Sequence, residues 1–304
     1  MAPKSLVVLG GTGFLGKHIC VAALNAGWKV TSLSRSGKLS KDQLEGFPIQ
    51  TISQIQWKKA NVFDPSSYRK ELENADGVVH TLGVIFPDAR YKTIVNSDVC
   101  NEFPKILETA KDIAISKSPL SFFSTPFSKS ANPMNKTPVI DQTVKNEQLF
   151  EKLNKESAVL LAQEFSKIKQ EHRSNEEGPK KGNAFVYISA EDYNKFAPEE
   201  YIESKRAAES LISDIGGIRS VFLRPGFMVD NGSKGNTLRD FLGNAFILRN
   251  NLSKVFGVEE CIGASPVLST QTVAKAVVEA LDDPTLSGPI SLGALHKYAT
   301  EFAK

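Results

Sequence analysis

Cysteine and histidine are scarce in this 304-residue chain, with three of the first and four of the second. Cys20, Cys100 and Cys261 lie far apart, with no C-x-x-C pair and no even set, so neither a disulfide framework nor a cysteine zinc site is expected. His18, His80, His172 and His296 are as scattered, so no metal centre is expected. Charge of one sign is missing too. The chain carries 37 basic against 34 acidic residues, a net charge of +3, and without a basic stripe no nucleic-acid partner is expected. No apolar run approaches the roughly 20 residues that cross a bilayer, so no transmembrane segment is expected. The N-terminus lacks a basic region followed by a separate apolar segment and a small-residue cleavage site. Its first apolar run, Leu6–Leu9, reads as the first strand, and a cleavable leader would need sequence ahead of it.

What is present is ordinary globular material: 41% hydrophobic and 23% charged residues, enough for one large α/β domain, alone or with a smaller lobe. Ser5–Leu9 is a short β-branched apolar run ending in glycine, the pattern of a buried parallel strand. Phe14–Ala26 carries Leu15, Ile19, Ala22 and Ala23 at helical spacing and stops at Gly27. Lys29–Leu33, Ile55–Val62 and Gly77–Leu82 read as strands. An Asp-Pro turn and a helix over Ser66–Leu72 separate the last two, and a long helix over Ile94–Ile115 follows. This alternation predicts an α/β fold with a doubly wound parallel sheet, the Rossmann arrangement.

The rhythm breaks over about 118–183. Ser116–Lys136 is rich in Ser, Pro, Asn and Lys, and Asn175–Asn183 is charged and glycine-bearing, as in loops. Between them one amphipathic helix is expected over Val144–His172, with Leu149, Leu153, Val159, Leu160 and Phe165. Its mixed charge suits packing on the domain better than lying on a membrane, and a partner-binding role stays open. The pattern then resumes with a strand Ala184–Ser189, a helix over Glu199–Ile215 and a strand Ser220–Leu223. We expect residues 1–225 to form the nucleotide-binding domain with 118–183 inserted. Residues 226–304 are expected to be mixed. A polar loop Asp230–Asn236 and a helix Leu238–Arg249 would form a small substrate lobe, and a helix Thr270–Leu281 and a strand Pro289–Leu292 would complete the core. Phe241, Leu242, Phe246, Ile247 and Leu248 suit either an apolar pocket or the lobe's own core.

Gly10, Gly13 and Gly16 give G-x-x-G-x-x-G directly after a strand and opening a helix. The first permits a tight turn, the second lets backbone approach a pyrophosphate, and the third lets helix and strand pack closely. The phosphates would sit at the helix N-terminus, where free N–H groups and the helix dipole attract anions. Thr12, Phe14 and Leu15 complete the loop as candidate cofactor contacts. In NAD-selective folds an acidic residue about 20 residues further on takes the ribose 2′-hydroxyl. Here the second strand ends at Ser34-Arg35-Ser36, with Lys38 nearby. A guanidinium clamps a 2′-phosphate in a bidentate way where a carboxylate would repel it, which favours NADP(H); the alternative is a solvated surface arginine. Asn61 and Val62 follow the third strand, where the adenine edge lies, and Thr81, Leu82 and Gly83 end the fourth, flanking the cofactor.

Tyr201 and Lys205 are spaced i, i+4 and share a helix face. An ammonium beside a phenol favours the phenolate and tunes the tyrosine for proton transfer, and the lysine can also hold the nicotinamide ribose. Ser189 ends the preceding strand, placed to orient a substrate carbonyl. The bland alternative is an ordinary surface Tyr and Lys. A later strand runs into Arg224-Pro225-Gly226.

Taken together, Gly10/Gly13/Gly16, Ser189, Tyr201/Lys205 and Arg224-Pro225-Gly226 make the chain resemble the extended or atypical short-chain dehydrogenases/reductases, over all but roughly residues 118–183. The resemblance implies that Pro225, Gly226 and Phe227 lie near the nicotinamide. The runs VLGGTGFLGKHIC, SLSRSG, FVYISA, YIESKRAAE and LRPGFMVD are similar to the branch that holds the nucleotide-binding accessory subunit of respiratory complex I, and within it to fungal mitochondrial members associated with coenzyme Q (ubiquinone) synthesis. This implies a mitochondrial setting on the matrix side of the inner membrane, peripheral membrane association, partners in the coenzyme Q biosynthetic complex and an apolar quinone-like small molecule. The spacing departs from the superfamily pattern, because only eleven residues, Glu191 and Asp192 among them, separate Ser189 from Tyr201. Two functions therefore stand: an NADP(H)-dependent oxidoreductase of a quinone-pathway intermediate, or an NADPH-stabilised scaffold or regulator without turnover.

Overall fold

The computed structural model describes residues 3–40, 46–85, 148–173, 182–191, 197–230 and 267–301. Its strands in chain order are β1 (Ser5–Leu9), β2 (Lys29–Ser34), β3 (Gln56–Lys59), β4 (Gly77–His80), β5 (Ala184–Ile188), β6 (Arg219–Leu223), β7 (Met228–Val229), β8 (Leu268–Ser269) and β9 (Gly288–Ile290). Seven of them form one sheet in the order β3-β2-β1-β4-β5-β6-β9, every neighbouring pair parallel. β7 and β8 form a separate short pair. The order reverses between β1 and β4, and in open α/β sheets such a point opens a ligand crevice beyond the carboxyl ends of the strands. Leu9 is in register with both Leu33 and His80, so the chain leaves β1, β2 and β4 at one level, at Gly10, Ser34 and Thr81.

Helices cover both faces of the sheet: α1 (Gly16–Asn25), α2 (Ile49–Ile52), α3 (Arg69–Glu73), α4 (Ser157–Arg173), α5 (Glu199–Ser213), α6 (Thr270–Asp282) and α7 (Leu292–Glu301). Leu6 and Val8 of β1 face a layer that includes Ile19 and Ala23 of α1 and Val273, Val277 and Leu281 of α6. Val7 and Leu9 face the opposite layer, with Leu72 of α3, Leu161, Phe165 and Ile168 of α4, and Ala208 and Ile212 of α5. Burial on both faces explains why β4 and β5 are apolar without alternation.

The differences from the expected elements have local causes. α1 starts at Gly16 rather than Phe14 because the Gly13 N–H donates to the Gly10 carbonyl (2.8 Å) and closes a turn first. β3 stops at Lys59 because Asn61 turns the chain, its side-chain oxygen accepting from the Phe63 N–H (3.2 Å). β9 holds Pro289 and lies at the sheet edge, where a missing N–H is tolerated. The helix expected over Val144–His172 is present from residue 148 and packs under the sheet as the crossover from β4 to β5. The helices expected over Ile94–Ile115 and Leu238–Arg249, together with Cys100 and Cys261, lie outside the described residues. Among the described residues, no helix is long and apolar enough to cross a membrane, and no cluster of His, Cys, Asp or Glu could hold a metal ion.

Candidate cofactor and active site

The glycine loop is shaped by contacts that no side chain could share. Gly10 adopts φ +85°, and a Cβ there would lie 2.5 Å from Thr81 Oγ1. Thr81 is fixed in turn, its N–H and hydroxyl both donating to the Leu9 carbonyl (3.0 and 2.9 Å). At Gly16 a Cβ would fall 2.2 Å from the Gly10 carbonyl oxygen, so helix and turn touch directly. Gly13 differs: beyond the Gly10 oxygen at 3.0 Å, its Cβ would meet open space. That bare face is where a ligand can approach the backbone. No side chain caps the N-terminus of α1 and no acidic residue stands in its first turn, so the helix presents a positive end at the loop. These features fit a pyrophosphate. Leu15 is buried in the core beneath the loop, while Thr12 and Phe14 are half-buried. Gly11, which the motif alone does not single out, packs on β2, where a Cβ would lie 2.3 Å from Ser32 Oγ.

Further along the same edge, Ser34 Oγ accepts from the Gly37 N–H (3.0 Å) and Ser36 Oγ donates to the Lys38 carbonyl (2.9 Å), forming a tight turn around Arg35. Arg35 is exposed and shares a cavity of about 300 Å³ with Lys59, Ala60, Asn61 and Ser67. The structure thus brings Arg35 and Asn61, expected at the two sides of an adenosine, into one cavity. Val62 is instead buried in the core, its carbonyl accepting from the Tyr68 hydroxyl (3.0 Å).

Tyr201 and Lys205 sit one turn apart on α5 and are both buried. Lys205 Nζ donates to the Ile188 carbonyl (2.9 Å) and lies 4.6 Å from the Tyr187 ring centre and 5.9 Å from that of Tyr201. Burial pushes its pKa down to about 7; Glu209 opposes the fall and Arg206 adds to it. Tyr201 shares a small apolar cluster with Val84, Phe150 and Ala190. Gly83 brings the chain after β4 against the lysine, since a Cβ there would lie 3.2 Å from Lys205 Nζ.

Asn154, which sequence reasoning missed, ties these parts together. It lies in a widened helical turn, Glu151–Glu156, that leads into α4, the kind of bulge that recurs at functional sites. Its Oδ1 accepts from the Val84 N–H (2.8 Å), and its Nδ2 donates to the Val84 carbonyl (3.2 Å) and to Ser204 Oγ (3.1 Å) on α5. Its own carbonyl accepts from the Tyr187 hydroxyl (2.7 Å). The available signal was a pair of polar residues, Asn154 and Ser157, on the apolar face of the helix. Ser157 Oγ donates to the Leu153 carbonyl (2.8 Å), so at the 2.9 Å contact with His80 the imidazole Nε2–H is the donor. Burial holds the His80 pKa well below the usual imidazole range, and nearby Lys205 adds to this.

Ser189 is engaged on the other side. Its hydroxyl accepts from Arg206 (3.0 Å), whose second nitrogen donates to the Ala190 carbonyl (2.6 Å). Arg206 also donates to the buried carboxylate of Glu209 (2.7 Å), which accepts two bonds from Arg224 (3.1 and 2.6 Å). One carboxylate therefore links α5, the end of β5 and the start of Arg224-Pro225-Gly226. Pro225 is buried, its carbonyl accepting from the Glu191 N–H (3.2 Å), and the Phe227 carbonyl accepts from the Leu268 N–H (3.1 Å). Replacing Glu209 by alanine leaves two guanidiniums without their shared carboxylate and is expected to destabilise the fold by about 3 kcal/mol. Urea unfolding checks this, and a loss below about 0.5 kcal/mol, typical of neutral surface changes, would contradict it.

The sequence pattern of the NAD dependent epimerase/dehydratase family matches residues 6–125. MIOREX complex component 2 of Saccharomyces cerevisiae is 32% identical over 303 residues, spanning 96% of this chain and 98% of that protein. The chain belongs to the short-chain dehydrogenase/reductase family, with an epimerase-type nucleotide-binding domain. An oxidoreductase of this family from Burkholderia thailandensis superposes with a TM-score of 0.54 at 14% identity, covering 100% of this chain and 98% of its own. ElxO with NADP bound gives 0.53 at 15% identity, covering 97% and 99%. At these identities the likeness is one of fold. Membership makes this an NAD(P)-binding chain, in line with the cofactor class expected from the glycine loop.

Proposed function

We propose that the protein is an NADP(H)-dependent member of its family that reduces or oxidises a quinone-pathway intermediate in coenzyme Q synthesis. The observation that carries the enzymatic reading is the buried Tyr201–Lys205 pair, held beside Gly83 at the end of the strand that also fixes the glycine loop. Gly10 to Gly16 would hold the pyrophosphate, Arg35 the 2′-phosphate, Asn61 the adenine edge, and Thr81 to Gly83 with Pro225 to Phe227 the nicotinamide half. When bound, the nicotinamide supplies or accepts the hydride. The Tyr201 hydroxyl gives or takes the proton at the substrate oxygen, and Lys205 stabilises the charge that this leaves on the phenol. Asn154 keeps Gly83 and Val84 against α5. The setting proposed is mitochondrial, on the matrix side of the inner membrane. The partners proposed are proteins of the coenzyme Q biosynthetic complex; the similarity to a MIOREX complex component supports membership of an assembly.

A specific observation favours a second reading. The residue sharing the Tyr201 cluster at the end of β5 is Ala190, while the Ser189 hydroxyl is bonded to Arg206. A Ser189 hydroxyl held by an arginine suits a chain that keeps NADPH as a structural ligand and serves as a scaffold or regulator.

Both readings require NADP(H). A ligand that binds only the folded state stabilises it by about 2.7 kcal/mol at about one hundred times its Kd. Thermal unfolding is therefore expected to rise more with NADPH than with an equal concentration of NADH; a larger rise with NADH would overturn the assignment of Arg35. Loss of the gene is expected to lower cellular coenzyme Q, and an unchanged quinone content would overturn the pathway assignment.

A further inference from the structure

The cavity beside Arg35 holds a second cation whose role the glycine motif does not explain. β2 and β3 run parallel with Ser34 opposite Lys59. Arg35 therefore follows one strand where Lys59 closes the next. Gly37, at φ +65°, folds the turn after β2 so close that its Cβ would lie 2.7 Å from the Lys59 backbone nitrogen. Successive strand residues face opposite ways, and the preceding Lys58 ion-pairs with Glu71 (2.7 Å). Lys59 lines the cavity with Arg35, Ala60, Asn61 and Ser67. Among the described residues neither Arg35 nor Lys59 has a carboxylate partner, and no acid lines the cavity. The Ser67 hydroxyl is already bonded to the Asn61 and Asp64 carbonyls (3.1 and 2.7 Å).

We propose that Lys59 is a second contact for the cofactor 2′-phosphate and, with Arg35, sets the preference for NADP(H) over NAD(H). The proposal rests on the NADP(H) reading given above. A ribose 2′-hydroxyl is read by a carboxylate acceptor, which this cavity lacks; two unpaired cations suit a dianion instead. The guanidinium offers a planar fork to two oxygens, and the ammonium comes from the neighbouring strand as a point charge. Both side chains are exposed, so the attraction is screened by salt.

The test uses the full chain, titrated at low salt by calorimetry with 2′,5′-ADP and 5′-AMP, which differ only in the phosphate at issue, and with NADPH and NADH. Lys59→Gln is expected to weaken 2′,5′-ADP and NADPH by about five- to tenfold while 5′-AMP and NADH change by under about twofold. Arg35→Gln is expected to act in the same direction, and the double variant to lose the preference. Without ligand the thermal midpoint of Lys59→Gln should match that of the parent chain, because the site is exposed. Equal weakening of the phosphorylated and unphosphorylated nucleotides, or no weakening of either, overturns the role of Lys59, even where Arg35→Gln still erases the preference. A parent chain that binds 5′-AMP as tightly as 2′,5′-ADP overturns the NADP(H) reading itself, and the proposal with it.

Discussion

Replacing Lys205 by methionine is expected to stabilise the fold by on the order of 4 kcal/mol below pH 7, an advantage that fades as pH rises toward 10. Lys205 is 2% exposed, and burial lowers its pKa from 10.5 to about 7. Between those two values the unfolded chain binds a proton that the folded chain does not, so parent stability climbs with pH across that window. Below it, the folded protein carries a buried ammonium and the desolvation cost is present in full. At about 1.4 kcal/mol per pH unit the window spans about 5 kcal/mol. Losing the hydrogen bond to the Ile188 carbonyl returns about 1 kcal/mol. Urea unfolding at pH 6, 8 and 10 measures the trend, and an equal gain at all three would show that Lys205 titrates normally. A buried lysine kept at this cost accords with the proton-transfer role proposed for it.

Tyr201→Phe is expected to lower hydride transfer between NADPH and a quinone-pathway acceptor by about 100- to 10,000-fold. The ring stays packed against Phe150, 6.4 Å away edge-on, so stability should change by under about 1 kcal/mol and NADPH affinity by under about twofold. Stopped-flow oxidation of NADPH, calorimetry and the coenzyme Q content of cells carrying the variant give three separate readouts. Lost turnover with intact binding and depleted quinone supports the enzyme. Full quinone content with Tyr201→Phe removes the tyrosine from the chemistry and leaves the scaffold reading in place.

Much of this fold is legible in the sequence. Periodicity located β1 to its residue and the start of β2, because buried parallel strands announce themselves as unbroken apolar runs between turn residues. The glycine loop was legible because each glycine answers a steric demand that spacing alone exposes. Three kinds of feature were not legible. α7 and the short β7–β8 pair are weak local patterns that tertiary contacts make regular. Nothing in the sequence singles out Lys59; register sets it opposite Ser34. Asn154, Arg206 and Glu209 act across elements far apart in sequence; their partners Val84, Ser189 and Arg224 become visible only when the sheet is assembled. Ser189 lies one residue past β5 rather than ending it, and the direction of its hydroxyl depends on an arginine one helix away.

The pairing of α1 with α6 has a consequence for how the chain is made. Ile19 and Ala23 of α1 are covered by Val273, Val277 and their neighbours, and Trp28 Nε1 reaches Asp282 (3.4 Å), across some 250 residues of sequence. On the ribosome, the cofactor-binding half therefore emerges first with one of its two apolar layers uncovered, and waits there until Thr270–Asp282 is synthesised. Contacts this distant close late and leave hydrophobic surface open in the meantime. The nascent N-terminal half is thus a natural client for a chaperone, and truncations that remove α6 should aggregate rather than yield a smaller folded unit.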